Sequence, residues 1–258
     1  MLAPLVAKRT LTHDLFVLRL AAPTIASSVQ PGQFVNILPR TGAIDPLLRR
    51  PFSVYQTGEG WIEVIIQIHG KGTEELSKAL VGDSLDVIGP LGSPWKYNSG
   101  SFSTAILLVG GVGVASMPSL TQACESSNIP FETYYGARNE RLFADEYLKR
   151  VHYATDDGSK GYRGSVIDLL RSDLRSVAYA HPKLFVCGPT PMMRAATTLA
   201  AEFDIPCEVS LETEMACGVG ICQGCPVQTT AAELEKTGKK FHLVCTHGPS
   251  FEREQIVF

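Results

Sequence analysis

Four cysteines near the C-terminal end restrict the fold and chemistry of this chain more than any other feature. Cys217, Cys222 and Cys225 form a C-x4-C-x2-C run, and Cys245 follows later. This is the spacing of the four thiolates that hold a plant-type [2Fe–2S] cluster. Three glycines lie inside the run, and glycine permits the positive φ and close backbone approach that a loop around sulfur needs. The pattern predicts that these four cysteines ligate a [2Fe–2S] cluster and that the protein transfers electrons.

A structural zinc ion is the alternative ligand for the same cysteines. Structural zinc sites usually combine two C-x2–4-C half-sites. Here one loop supplies three cysteines and Cys245 alone supplies the fourth, so the spacing favours iron–sulfur. If zinc were bound, the chain would be a zinc-stapled binding or regulatory module without a redox function.

The composition excludes several other classes of protein. The chain has 258 residues, of which 45% are hydrophobic, and a net charge of −3, which fits a globular protein without a basic surface for nucleic acid. The most apolar stretch, 105–117, is interrupted by three glycines, so no membrane span is expected. The first nine residues are too short and too polar for a signal peptide. Because four of the seven cysteines cluster, we expect a reducing cytoplasm instead of a disulfide framework.

The order of sequence patterns predicts three units. Residues 1–100 contain short β-branched and aromatic runs separated by Pro and Gly, which is typical of a closed antiparallel barrel. Residues 101–210 alternate between apolar strands and helices, which predicts a doubly wound parallel sheet. Residues 211–258 form the cysteine module. Helices are predicted at 73–80, 114–126, 144–149, 166–171 and 191–203. The predicted fold class is therefore a multi-domain α+β protein: an N-terminal antiparallel β-barrel, an α/β doubly wound parallel sheet and a C-terminal [2Fe–2S] module.

Two segments of the barrel unit are typical of a flavin dinucleotide site. The segment Arg50–Ser53 (RPFS) enters a strand from a loop and offers a guanidinium for phosphate, a fixed backbone and a hydroxyl near a flavin ring. Gly72 and Thr73 lie where a glycine turn enters the predicted helix at 73–80, so amides and the helix dipole can receive a pyrophosphate. For the first segment alone, an exposed arginine pair beside a strand is the alternative.

Turns at the carboxyl ends of the predicted parallel strands indicate a nicotinamide dinucleotide site. Such turns meet at the edge where doubly wound sheets bind ligands, and glycines there let a dinucleotide approach the backbone. The predicted contacts are Gly110, Gly111, Gly113, Asp156, Cys187, Gly188 and Pro189. A tight strand-to-helix turn is the alternative for the first glycine run, since its third position in the dinucleotide pattern is Ser116.

Electron counting links these features. An iron–sulfur cluster passes one electron at a time, whereas a nicotinamide exchanges a hydride, which carries two. A flavin converts between the two, so a chain with all three sites is chemically consistent. The chain lacks an obvious acid–base arrangement for an organic substrate, so its other redox partner is expected to be a protein that docks near the cluster.

The whole pattern resembles the ferredoxin–NADP reductase superfamily. The segments Glu214–Cys222, Val244–Pro249 and Ala154–Ser159 are more specifically similar to the electron-transfer subunits of type B dihydroorotate dehydrogenases. This resemblance implies a cluster on the four cysteines named above, and FAD along the barrel. The implied FAD residues are Arg50, Pro51, Phe52, Ser53, Ile65, Ile66, Gln67, Gly72 and Thr73. Many relatives carry an aromatic–basic pair where this chain has Ile66-Gln67.

The resemblance also implies a partner and a pathway. Two such chains would assemble with two FMN-containing catalytic subunits that oxidise dihydroorotate, as a heterotetramer in the cytoplasm. Electrons would then pass through the cluster and FAD to NAD+ in pyrimidine biosynthesis. The alternative is an NAD(P)H-linked reductase subunit of another flavoprotein complex, of the ferredoxin or sulfur reductase type.

Overall fold

A closed barrel of six antiparallel strands forms the N-terminal part of the computed structural model, which describes residues 1–39 and 45–258. The strands are β1 (Leu2–Thr10), β2 (Leu15–Ala21), β3 (Phe34–Ile37), β4 (Arg50–Gly58), β5 (Trp61–Gln67) and β6 (Ser84–Leu91). Their order around the barrel is β1-β2-β5-β4-β3-β6. Alternate residues point inward, so that Val35 and Ile37 of β3 and Val64 and Ile66 of β5 fill the barrel core. The predicted barrel is confirmed.

In the described residues of this unit, two short helices accompany the barrel: α1 (Pro23–Ala26) and α2 (Lys71–Ser77). The prediction of a helix at 73–80 was wrong at both ends. The chain leaves the helix early because Asp83 offers a competing acceptor. Its carboxylate receives the backbone N–H of Leu80 at 2.8 Å, which is the local competition by which Asp closes turns.

The second part of the chain is built on a seven-stranded sheet. The strands that follow the barrel are β7 (Thr104–Gly110), β8 (Phe131–Ala137), β9 (Val151–Thr155), β10 (Tyr162–Arg163), β11 (Pro182–Cys187), β12 (Cys207–Ser210), β13 (Pro226–Gln228), β14 (Phe241–Leu243) and β15 (Ser250–Glu252). The sheet has the order β10-β9-β8-β7-β11-β12-β15, and β13 pairs with β14 in a separate ribbon. All neighbours are parallel except β15, which runs antiparallel to β12. The predicted doubly wound sheet is confirmed, and its strand order reverses between β7 and β11.

Five further α-helices lie in the stretch 101–258, all of which the structure describes: α3 (Pro118–Ser126), α4 (Val166–Ser176), α5 (Thr190–Glu202), α6 (Ala231–Thr237) and α7 (Val244–His247). The helix predicted at 114–126 is divided. A 3-10 turn occupies Gly111–Ser116, and α3 begins at Pro118, because proline lacks an N–H and therefore suits the first turn of a new helix.

The helix predicted at 144–149 does not form. Side chains from elsewhere take the backbone groups that a helix would need: Ala144 N–H donates to the Tyr135 hydroxyl at 3.4 Å, and the Tyr55 hydroxyl donates to the Ala144 carbonyl at 3.3 Å. Tyr147 donates to Glu63 of the barrel at 3.0 Å. Tertiary contacts therefore override the helical pattern of this segment.

Glu63 connects the barrel to this segment of the α/β unit. The carboxylate is fully buried (0% exposed) and accepts hydrogen bonds from Arg9 at 2.5 and 2.8 Å, from Arg19 at 2.9 Å and from Tyr147 at 3.0 Å. Burial by itself raises the pKa of a carboxyl group, but these bonds prevail and hold the pKa of Glu63 below its usual value of 4.5.

We expect Glu63→Gln to lower the free energy of unfolding at pH 7 by about 3 kcal/mol, because two arginines lose their buried partner. A carboxyl group with a depressed folded pKa stabilises the fold above its unfolded pKa, and this stabilisation is lost as pH falls through the folded value. Urea unfolding should therefore show a full difference at pH 7 that shrinks below pH 4.5. The exposed Glu59→Gln variant should change stability by less than about 0.5 kcal/mol. Equal stability of Glu63→Gln and wild type at pH 7 would contradict this role.

Candidate functional site

A cavity of about 460 Å³ lies where the barrel meets the sheet. Among the predicted FAD residues, those that line it are Pro51, Phe52, Ser53, Ile65 and Gln67, and the predicted dinucleotide residue Cys187 also lines it. Because strand residues alternate, the Ile66 side chain points into the barrel core. Only the backbone of that residue is available to the cavity. The structure thus places these predicted flavin residues together along the smaller cavity.

Arg50 lies beside the start of α2. A Cβ added to Gly72 would lie 2.9 Å from Arg50 Nε, so glycine is needed for this approach. Arg50 Nη1 donates to the carbonyls of Leu48 at 2.8 Å and Arg49 at 3.2 Å. The neighbouring Arg49 pairs with Asp86, whereas the ion pairs found within residues 1–39 and 45–258 do not include Arg50. A cation with spare donors beside a glycine turn fits a diphosphate. Thr73 instead closes its own turn, accepting from the His69 N–H at 2.8 Å.

A second, larger cavity of about 1100 Å³ lies over the carboxyl ends of the parallel strands. It covers the point where the strand order reverses, which is where doubly wound sheets bind ligands. The predicted residues that line it are Gly110, Gly111, Gly113, Asp156, Gly188 and Pro189. Residues that the sequence analysis did not assign also line it: Arg138, Ser165, Asp168 and Arg171. Their signal in the sequence was only that Arg138 directly follows β8 and that the other three lie at the N-cap or in the first half of α4.

The glycines of the larger cavity have two different roles. A Cβ at Gly113 would collide with the Cys187 carbonyl, and one at Gly188 would lie 3.0 Å from Gly110 Cα. These three glycines therefore let β7 and β11 end close together. Gly111, by contrast, has φ +54 and no neighbour that a Cβ would meet. The strand-to-helix turn is thus tightly packed, while Gly111 borders the cavity with open space around it. The dinucleotide contacts of this glycine run stay predictions.

The two cavities meet. Both are lined by Gln67, Val112 and Glu212. The amide of Gln67 is held by Asp14, to whose carboxylate it donates at 2.9 Å. Glu212 was missed by the sequence analysis. Its side chain is exposed to the cavities rather than enclosed in the core, yet the surrounding protein raises the pKa of this carboxyl group by desolvation.

The cysteine loop presents backbone N–H groups to sulfur. Cys217 Sγ accepts from the N–H groups of Cys222 at 3.4 Å and Val219 at 3.5 Å, and Cys222 Sγ accepts from Gly224 N–H at 3.4 Å. The donors from Cys222 and Val219 lower the pKa of the Cys217 thiol to about 6. Since thiolates, not thiols, ligate metals, this loop is prepared for metal ligation.

The four cysteines lie in two neighbouring pairs. Cys217 and Cys222 are joined by the Cys222 N–H bond to Cys217 Sγ. Cys225 and Cys245 pack in one buried cluster, where the Val244 N–H donates to the Cys225 carbonyl at 2.9 Å. Within the described ranges 1–39 and 45–258, no three His, Cys, Asp or Glu side chains converge as a site for one metal ion. The C-x4-C-x2-C spacing, followed by a lone fourth cysteine, is what favours a [2Fe–2S] cluster over a tetrahedral zinc ion.

The other three cysteines are buried thiols. Burial raises the pKa of Cys124, Cys187 and Cys207 to about 12 each, so these side chains remain protonated near neutral pH. Cys187 differs from the other two because it forms part of the smaller cavity wall.

Comparison with known families agrees with this arrangement. The family model described as "Oxidoreductase FAD-binding domain" matches residues 2–97. The model "Iron-sulfur cluster binding domain of dihydroorotate dehydrogenase B" matches residues 212–257. None of the helices described for residues 1–39 and 45–258 has the length and apolar character required to cross a bilayer.

Individual relatives cover nearly the whole chain. The "Dihydroorotate dehydrogenase B (NAD(+)), electron transfer subunit" of Desulforamulus reducens is 35% identical over 99% of this chain and 97% of its own length. The protein of the same name from Bacillus caldolyticus is 34% identical over 97% of this chain and 96% of its own. A chain of the NADH-dependent reduced ferredoxin-NADP oxidoreductase, a structure concerned with flavin-based electron bifurcation, is 29% identical. It superimposes with a TM-score of 0.86 over 100% of this chain and 90% of that chain.

These matches confirm the resemblance noted from the sequence, the fold class, the FAD and iron–sulfur cofactors, and the oxidoreductase class. The individual contacts to each cofactor stay predictions. The chain belongs to the family of electron transfer subunits of dihydroorotate dehydrogenase B.

Proposed function

We propose that this protein is the electron transfer subunit of a complex that oxidises dihydroorotate and reduces NAD+ in pyrimidine biosynthesis. The observation that carries the proposal is the continuity of its sites. The smaller cavity, which we assign to the flavin (the flavin cavity), and the larger one, which we assign to the dinucleotide, share Gln67, Val112 and Glu212. Phe34, which lines the flavin cavity, packs in the same buried cluster as Cys225 and Cys245. Three binding regions thus adjoin one another in one chain. We assign them to units at 1–100, 101–210 and 211–258.

The side chains have separate tasks in this proposal. Arg50, with the amides at the start of α2, binds the FAD diphosphate, while Pro51 and Ile65 fix the plane of the ring. Gln67, held by Asp14, presents its amide where the two cavities meet. When bound, FAD exchanges a hydride with the nicotinamide and single electrons with the cluster. The dinucleotide lies along the turns of the larger cavity, with its adenosine end toward Asp156 and Arg138.

The exposed side of the cysteine loop is the proposed docking point of an FMN-containing catalytic subunit. Ile221 is 82% exposed and lies next to the exposed ligand Cys222. A large exposed apolar side chain beside a redox ligand is suited to burial against a partner. We propose that the complex is a heterotetramer of two chains of each kind, as the family resemblance implies. We also propose that it works in the cytoplasm, because unpaired cysteines persist in a reducing compartment.

Co-expression with a dihydroorotate-oxidising FMN subunit tests the proposal. The two chains should co-purify, and the complex should reduce NAD+ when dihydroorotate is added. A complex that forms and oxidises dihydroorotate with a dye, but fails to reduce either NAD+ or NADP+, would reject the function.

A second candidate is the NADH-linked subunit of a ferredoxin-dependent complex. The 29% identity to the NADH-dependent reduced ferredoxin-NADP oxidoreductase chain, over all of this chain, favours it. Reduced ferredoxin, instead of dihydroorotate, would then drive NAD+ reduction in the native complex.

Asp156 should determine the choice between NAD(H) and NADP(H). Its carboxylate is exposed at the edge of the larger cavity, where it would accept bonds from ribose hydroxyls and repel a 2′-phosphate. We expect Asp156→Asn to raise the ratio of kcat/KM for NADPH to that for NADH by roughly tenfold, which corresponds to about 1.4 kcal/mol. The neighbouring Asp157→Asn is the control, since the Asp157 carboxylate is bound to Ser159. Equal ratios in wild type and both variants would contradict the assignment.

A further inference from the structure

The outer face of β3 contacts both the flavin cavity and the cysteine loop. Val35 and Ile37 point into the barrel, so the alternate residues Phe34 and Asn36 point outward. Phe34 lines the flavin cavity. Asn36 pairs across the sheet with Pro51, which lines the same cavity. Asn36 therefore projects from the same strand, β3, whose Phe34 lines the flavin cavity.

Asn36 reaches the first predicted cluster ligand. Its Nδ2 donates to the Cys217 carbonyl at 3.3 Å. The next residue, Gly218, is buried with φ +72, and a Cβ there would overlap Asn36 Nδ2. The amide group thus fits against the backbone at the start of the cysteine loop.

Burial of the Asn36 amide has an energetic cost that an apolar side chain at this position would not have. Asn36 is 0% exposed, and its Oδ1 is buried without a hydrogen-bond partner in the part of the chain that the structure describes. A buried unpaired polar atom costs about 1–3 kcal/mol. Its neighbours on this face include the apolar Phe34 and Leu91, so an apolar side chain would avoid that cost. The amide is explained by its bond to Cys217.

We propose that Asn36 is a positioning residue that fixes the cluster loop against the flavin-bearing strand. By holding the Cys217–Gly218 backbone, it sets the distance and orientation between the two redox groups. This inference rests on the proposed function, because it requires both groups to be bound. Electron transfer between them should therefore depend on a residue that ligates neither.

The first test uses the purified chain with its FAD and cluster. Asn36→Ala removes the donor, and Asn36→Asp places an oxygen opposite the Cys217 carbonyl. Each should lower the ratio of the NADH-driven cluster reduction rate to the NADH–dye reduction rate by about tenfold, since misplaced groups lose rate steeply. Each should also change the EPR spectrum of the reduced cluster. Ile88→Ala is the control, because Ile88 is paired with Asn36 on β6 and carries no amide. Its ratio should stay within about twofold.

The second test exchanges size between the two partners. Gly218→Ala should impair cluster reduction both through strain at φ +72 and by pushing against Asn36. Its fold-effect should be smaller in the Asn36→Ala background, because the overlap with Asn36 Nδ2 is removed there. This comparison tests the contact between Asn36 and Gly218 even if Asn36→Asp fails to fold. Wild-type ratios and EPR spectra in the Asn36 variants, or equal effects of Gly218→Ala in both backgrounds, would overturn the role of Asn36 alone. A wild-type chain without an NADH-reducible cluster would reject the proposed function as well.

Discussion

Replacing Cys222 by serine is expected to reduce dihydroorotate-driven NAD+ reduction by about 100-fold or more, because one of four thiolate ligands is lost. NADH oxidation with an artificial dye should continue, since the residues of the flavin and dinucleotide cavities do not include the cysteine loop. Cys222 is exposed, so the substitution should leave the core intact. Stopped-flow and steady-state assays of the co-purified complex measure both activities.

The matched control for this variant is Cys124→Ala. Cys124 is a buried thiol between the barrel and the sheet, and it lines neither cavity. Both activities should survive in Cys124→Ala, while the free energy of unfolding falls by on the order of 1 kcal/mol. If dihydroorotate-driven NAD+ reduction also survived in Cys222→Ser, the cluster would not connect the two subunits.

The second large effect concerns Arg50. We expect Arg50→Gln to weaken FAD binding by about 100-fold, because charge-assisted bonds to a phosphate contribute roughly 1.5–3 kcal/mol. The adjacent Arg49→Gln is the matched control. The Arg49 side chain is already paired with Asp86 on the barrel surface, and it lines neither cavity.

Titration of the apoprotein with FAD, followed by quenching of flavin fluorescence, measures both dissociation constants. Arg49→Gln should bind FAD within about threefold of wild type. The same loss in both variants would indicate a general effect of positive charge, and no loss in Arg50→Gln would place the diphosphate elsewhere.

Much of the fold could be predicted because the local patterns are strong. The antiparallel barrel and the parallel sheet were both predicted correctly, since β-branched and apolar residues between turn residues indicate strands with little ambiguity. The segment at 144–149 failed for the opposite reason. Its helical pattern was outweighed by bonds from Tyr55 and Tyr135, which are distant in sequence and invisible to a local pattern.

The candidate site divides in the same way. Motif residues such as Ser53 and Gly111 could be found because turns and strand starts have characteristic residues. Glu212 and Asn36 could not, because each is an ordinary polar residue in the sequence. They become relevant only through the closed barrel and the order of the sheet, which bring separate segments against one cavity or loop.

The iron, zinc and FAD content of anaerobically purified protein tests the central claim most directly. A chain whose four clustered cysteines ligate a [2Fe–2S] cluster and whose barrel binds a flavin should contain about two irons and one FAD, with no stoichiometric zinc. One zinc per chain, or a colourless protein that takes up neither iron nor flavin on reconstitution, would contradict the account.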